Sequence, residues 1–246
     1  MFRHRGKGRT YQHNLKLASL LSCVAGMVNS IGVFSVHTLT TNVTGHFAYF
    51  SEQFFLENYA SAFTFLLYIF AFLSGAFVSG LVMELAARRQ VHTSYMLPLV
   101  IEITILFAVG LSSLSGIRFA PVYSKWVSVA LLFSMGLQNA LVTRVSMSVV
   151  RTTHLTGLFT DLGIEISQLL SNSTLQRPVL LKSIFLKLMI IAGFFTGGIT
   201  GGWLYQYFTL QTLFLQVTIL LFAVWYDKMM FRYYYLKRKL RIKNGA

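Results

Sequence analysis

The stretch MGLQNALVTRVSMSVVRTTHLTGLFTD, Met135 to Asp161, decides how the rest of the chain is read. It mixes amides, hydroxyls, two arginines and a histidine in a chain whose other long runs are apolar. An unsatisfied polar group facing lipid is costly, so this run belongs inside protein, in a water-filled cavity or at an interface. A weaker copy stands near the N-terminus, Gly26-Met27-Val28-Asn29 and then Thr41-Asn42-Val43-Thr44-Gly45-His46-Phe47. Gly-x-x-Asn occurs at Gly26/Asn29 and again at Gly136/Asn139, with Thr-Gly-x-Phe starting 15 or 17 residues after the Asn. The chain reads as a duplication, and the duplicated part is polar.

Composition sets the class. Of 246 residues 55% are hydrophobic and only 11% charged, against about 25% charged in soluble domains; the mean hydropathy is +0.62. The net charge of +14 is a feature of nucleic-acid binders too. Here the basic residues form short clusters between apolar runs, which fits topology signals and anionic headgroups instead. The single cysteine, Cys23, lies within the first apolar run, which excludes disulfides and thiolate metal clusters.

Six runs are long enough to cross about 30 Å of hydrocarbon as helices: residues 15–36, 59–83, 95–114, 124–144, 181–204 and 209–227. With the N-terminus inside, 19 basic residues fall inside and only Arg118 and Lys125 outside, as the positive-inside rule expects. If the polar segments 37–57 and 151–172 also spanned, the tally would become 17 against 4, with Arg88, Arg89, Arg144 and Arg151 misplaced. Six spans are therefore expected, with the polar segments re-entrant, interfacial or broken. The first run is long and lacks a small-x-small exit, so it is expected to stay as a span.

The repetition extends past the polar motif. Phe72-Leu73-Ser74-Gly75 in span two resembles Phe194-Phe195-Thr196-Gly197 in span five, and Glu102-Ile103-Thr104-Ile105-Leu106 resembles Gln216-Val217-Thr218-Ile219-Leu220. Each repeat then holds three spans, and an odd number reverses the second copy. The expected fold is all-α: a polytopic membrane protein of two inverted three-helix repeats, a plan common among transporters. Its parts are a basic arm at 1–14, repeats at 15–114 and 115–227, and a basic tail at 228–246.

GLQNALVTRVS followed by VRTTHLTGLFTDLG resembles the second signature of the YoaK family, a domain-of-unknown-function family of bacterial inner-membrane proteins. AGMVNSIG followed by TLTTNVTGHF resembles its first. The similarity covers residues 15–227, and it implies a polytopic inner-membrane protein without supplying an activity. The chain departs from the first signature at two positions, with Asn29 where Asp is expected and His46 where Asn is expected.

Candidate site residues follow from the polar copies. Thr44-Gly45-His46 and Thr156-Gly157 read as helix starts, where Thr caps free N–H groups and Gly admits a close approach. A positive helix terminus there suits an anionic group, with Asp161 on the polar face beyond; the bland reading is an interfacial helix with an ordinary cap. Asn29 and the adjacent pair Gln138 and Asn139 lie within spans, where they act as interhelical glue or line a path. Glu102 is the one acid well inside a span and the candidate coupling group; otherwise it snorkels to the cytoplasmic edge or pairs with an arginine. Glu84 and Arg88 read as a surface i, i+4 pair. His37, His46 and Glu52 give only a weak metal signal, and no nucleotide, hydrolase or zinc-protease motif occurs.

The reading is a small secondary transporter or permease for a small polar solute, with an anionic one in view, working by alternating access. It is expected in the bacterial inner membrane with both termini cytoplasmic, without enzymatic activity, cofactor, metal or nucleic acid. Its partners are the lipid bilayer and the solute, and its glycine faces would allow a homodimer. A passive channel and a non-transporting membrane partner or assembly protein are the alternatives.

Overall fold

The computed structural model describes residues 10–88, 95–115, 121–171 and 177–243, with the backbone alone at 115, 121 and from 230 onward. The arm residues Arg3 to Arg9, Arg89, His92, Arg118 and Asn172 lie outside the described residues. Every regular element described is helical: α1 Tyr11–Val36, α2 Val43–Phe55, α3 Tyr59–Arg88, α4 Met96–Ser112, α5 Pro121–Ser146, α6 Leu155–Leu170, α7 Arg177–Phe208 and α8 Leu213–Lys243. Tyr11–Val36, Tyr59–Arg88 and Val122–Ser146 are each long and apolar enough to cross a membrane. So is the 53-residue stretch Arg177–Met229, but as one helix it would measure about 80 Å. A 3-10 turn at Thr209–Thr212 divides it into α7 and α8. The six apolar runs thus correspond to α1, α3, α4, α5, α7 and α8.

The remaining two helices fall on the polar copies. At 13 and 16 residues, α2 and α6 reach about 20 and 24 Å, short of a span. Each follows a break with the same cause. After α1 the backbone turns left-handed at His37 (φ 51°), and the N–H groups of His37 and Thr38 return to the carbonyls of Val33 and Gly32, each at 3.1 Å. After α5 the left-handed residues are Met147 (φ 55°) and Ser148 (φ 63°), and Ser148 N–H reaches the Thr143 carbonyl at 2.8 Å. A side-chain-bearing residue in this region costs about 1–2 kcal/mol, so the surroundings hold both breaks in place.

The halves interlock. A Cβ at Gly26 on α1 would stand 2.0 Å from the Phe194 carbonyl oxygen of α7, and one at Gly197 would stand 2.1 Å from that of Cys23. The counterparts repeat this: Gly136 on α5 would meet the Phe72 oxygen of α3 at 2.1 Å, and Gly75 that of Phe133 at 2.0 Å. Only hydrogen fits at these four positions, so α1 lies backbone to backbone on α7, and α3 on α5. Both pairs are parallel, since Gly193 meets Ser19 and Gly201 meets Met27 in one, while Arg144 reaches Gly80 beyond the Gly136–Phe72 contact in the other. By contrast α1 and α5 are antiparallel: Leu21 faces Gln138 and Thr38 faces Ser128. So are α4 and α8, through Tyr95 with Asp227 and Gly110 with Phe214. Leu17, Leu21, Val24, Leu99, Leu106, Leu131, Met135 and Leu220 fill the core between them.

The short helices fold back on the spans that follow. Phe54 meets Tyr59, Tyr49 meets Phe65, and His46 meets Tyr68. The start of α2 therefore lies beside Tyr68, about 14 Å along α3 from its first residue. Glu165 of α6 meets Ser183 and Lys187 of α7 in the same sense.

Candidate functional site

The breaks gather the polar residues that the sequence singled out. Asn29 Oδ1 accepts from the Thr41 N–H at 3.3 Å and its hydroxyl at 3.0 Å. Asn139 Oδ1 accepts from the hydroxyls of Thr153 at 2.7 Å and Thr152 at 3.4 Å. Each Asn pins the extended segment that leaves its own helix. Because the oxygen alone is used, the Asp expected at position 29 would accept the same bonds. Asn139 Nδ2 is buried and has no partner. Gln138 is buried beside it in sequence; its Nε2 donates to the Leu21 carbonyl at 3.1 Å, and its Oε1 is without a partner. Gln138, at the meeting of α1 and α5, thus keeps a free acceptor, and Asn139, beside the break after α5, a free donor.

His46 is buried between Phe65 and Tyr68. Its Nε2 stands 2.8 Å from the Leu39 carbonyl, which can only accept, so Nε2 carries the proton and Nδ1 keeps a buried, unpartnered lone pair. The helix starts differ from expectation. α2 begins at Val43, one residue before Thr44, and Asn42 caps it by accepting from the Gly45 N–H at 3.0 Å. α6 begins at Leu155 behind His154, which makes no side-chain cap bond. Thr44 and Thr156 therefore sit inside the first turn, both exposed, as is Asp161. A Cβ at Gly157 would strike His154 Nδ1 at 2.4 Å, while one at Gly45 would press on Asn42 and Leu39, each at 3.3 Å. The two Thr-Gly pairs belong to different packing units, α2 on α3 and α6 on α7.

Both short helices expose apolar as well as polar side chains. In α2 His46 is buried while Phe47, Phe54 and Phe55 are exposed; in α6 Leu158 and Leu162 are buried while Phe159, Ile166 and Leu170 are exposed alongside Asp161. Glu165 is turned inward instead and takes hydrogen bonds from Ser183 Oγ and Lys187 Nζ, each at 2.7 Å.

A cleft of about 470 Å³ opens at the break of α5, lined by Asn139, Ala140, Thr143, Arg144, Met147 and Ser148. Arg144 is the cation of this cleft and pairs closely with Glu84 across to α3. The i, i+4 contact of Glu84 with Arg88 exists at 3.8 Å, but Arg144, sixty positions away, is the tighter partner.

Glu102 is completely buried, and neither carboxyl oxygen has a hydrogen-bond partner; its counterpart Gln216 is buried and unpartnered in the same way. Snorkelling and an arginine partner are both excluded by that environment. An ionised carboxylate there would be uncompensated, at a cost of several kcal/mol. The sequence reading passed over Asp227, which stood at the end of the last apolar run; it is buried and accepts from the Tyr95 hydroxyl at 2.6 Å. Among the described residues no group of three His, Cys, Asp or Glu is arranged to hold a metal.

Apolar helices of membrane-spanning length, with many aromatic side chains turned outward and Gln138, Glu102 and Gln216 buried inside, give an all-helical protein of membrane character. More particularly, residues 17–226 match the family described as Protein of unknown function (DUF1275), and the chain belongs to that family. The match covers nearly the same residues, 15–227, over which the sequence resemblance extends. No curated protein and no solved structure matches the chain.

Proposed function

We propose that the chain is a small secondary transporter for a small polar solute, built as two inverted repeats in the bacterial inner membrane with both termini cytoplasmic. The carrying observation is the twice-made break, at His37 and at Met147, each pinned by an intramembrane Asn and followed by a helix too short to span. Broken helices from two repeats are how transporters bring backbone and amide groups to a midplane site. The antiparallel course of the counterparts α1 and α5 supports the inversion. The tally of 19 basic residues against 2 and the likeness to an inner-membrane family support the orientation and the location.

The packing supplies a mechanism. The glycine-locked pairs α1/α7 and α3/α5 act as two rigid bodies, and the seam between α1 and α5 carries the Gln138–Leu21 and Thr38–Ser128 hydrogen bonds. Rocking across this seam exposes Gln138 and Asn139, with their unmatched acceptor and donor, to either side. The cleft beside Arg144 is the inward mouth. Glu84 offsets the charge of Arg144, so a neutral or zwitterionic solute suits the mouth better than a bare anion.

Purified protein in liposomes, offered a panel of radiolabelled amino acids, sugars and small carboxylates under an imposed ion gradient, tests the proposal. Accumulation of one of them above its outside concentration is expected. Equilibration without accumulation would mean a passive channel, and no flux of any solute would point to a non-transporting membrane partner.

A further inference from the structure

We infer that the Glu102 carboxyl is the proton-carrying site of this transporter, so that the coupling ion is H⁺ and one proton moves per cycle; this rests on the transport reading above. Three observations converge. Glu102 is wholly buried with both oxygens unpartnered, which leaves the neutral acid as the form that fits the closed structure. It lies halfway along the α4–α8 interface, seven residues from Tyr95, which faces Asp227, and eight from Gly110, which faces Phe214. That is about 10 Å and 12 Å of helix from either contact. Gln216, the counterpart in the other repeat, sits equally buried and unpartnered. The fold therefore accepts a neutral amide at this kind of position, and only one of the two positions can ionise.

Other titratable groups on the helices packed against α4 are engaged elsewhere or stand towards the helix ends. On α8 Asp227 takes the Tyr95 hydroxyl, Tyr226 lies under Lys16, and Lys228 is exposed, one position beyond Asp227. On α5 Tyr123 meets Ser112, Lys125 stands near the helix start, and Arg144 holds Glu84 of α3. Elsewhere on α3, Arg88 stands by Glu84, Tyr68 packs on His46 and Tyr59 on Phe54. No cation on these helices makes an ion pair with Glu102 among the described residues. The chemistry is a reversible transfer: when the site opens to one side, the carboxylate takes a proton from water there; closure around the solute requires the neutral acid; opening to the other side returns the proton to water, and the empty carrier makes the return leg with the carboxylate hydrated, so that solute and proton cross together. The buried hydroxyls of Ser22 and Ser134 on α1 and α5 also lack partners, so the interior holds polar capacity that the closed state does not satisfy.

Glu102→Gln and Glu102→Asp, compared with the natural protein in liposomes and by infrared spectroscopy, test this. At neutral pH the natural protein should show a protonated-carboxyl C=O band that is missing from Glu102→Gln. With the panel solute that the natural protein accumulates, Glu102→Gln should still exchange solute at equal pH but lose accumulation driven by a pH gradient, down to the equilibrium ratio. Glu102→Asp should restore part of it. An unchanged band, or undiminished pH-driven accumulation in Glu102→Gln, overturns the inference. If the natural protein moves no solute, the transport reading fails first; a band lost in Glu102→Gln would then mark a buried acid without a coupling role, which overturns the inference as well.

Discussion

At the scale of single residues, the amides within the apolar helices divide into anchoring and free atoms. Asn139 Oδ1 holds two threonine hydroxyls while its Nδ2 holds nothing. Asn139→Ala removes both acceptor bonds from a half-buried site and is expected to cost about 1–3 kcal/mol, seen as a lowered unfolding temperature in detergent with membrane insertion intact. Asn139→Asp keeps the accepting oxygens and should lose less; equal losses would show that the side chain's bulk, and not its oxygen, sets the break. The sequence showed that Asn29 and Asn139 were polar groups inside spans, because a 20-residue apolar window makes an amide conspicuous. It did not show which residues they held, since Thr41 and Thr153 lie 12 and 14 positions away, beyond any helical periodicity. Glu84 illustrates the same limit: the i, i+4 rule finds Arg88, while Arg144 comes from a different helix.

At the scale of elements, the spans were legible and their pairing was not. Length and hydropathy locate α1, α3, α5 and the α7–α8 stretch, but nothing in an apolar run says that α1 packs on α7 instead of on its neighbour in sequence. The glycines carry that information only once the partner backbone is known. Gly75 and Gly80 looked alike in sequence, yet a Cβ at Gly75 would meet a carbonyl oxygen at 2.0 Å and one at Gly80 meets nothing within 4 Å. Gly26→Ala and Gly75→Ala should therefore destabilise strongly, by about 3 kcal/mol or more, because rigid backbone and not a flexible side chain must yield. Gly80→Ala should be neutral or slightly stabilising, since helical Ala is better than Gly by about 1 kcal/mol. Thermal unfolding of the three variants in one detergent checks this, and a harmful Gly80→Ala would contradict the packing described. The short helices were legible as polar segments too, but the inward turn of His46 and Glu165 emerges only against α3 and α7.

For the whole molecule, the proposed inverted arrangement predicts where each loop stands. In a background with Cys23→Ser, single cysteines at Ser51 and Ser113 should react with an impermeant maleimide from the outer side, and ones at Gln90 and Ser173 only after the membrane is opened. Labelling of position 90 from outside would remove both the orientation and the inversion. One further matter concerns how such a chain is made. The close partner of α1 is α7, and their locking glycines, Gly26 and Gly197, lie in different halves of the chain. At the ribosome's pace of about 5–20 residues per second, the first helix enters the bilayer on the order of ten seconds or more before its mate exists. Its glycine-notched surface spends that interval against lipid or insertion machinery. Neither half is a finished unit, so biogenesis closes the molecule only when the seventh helix slides in beside the first.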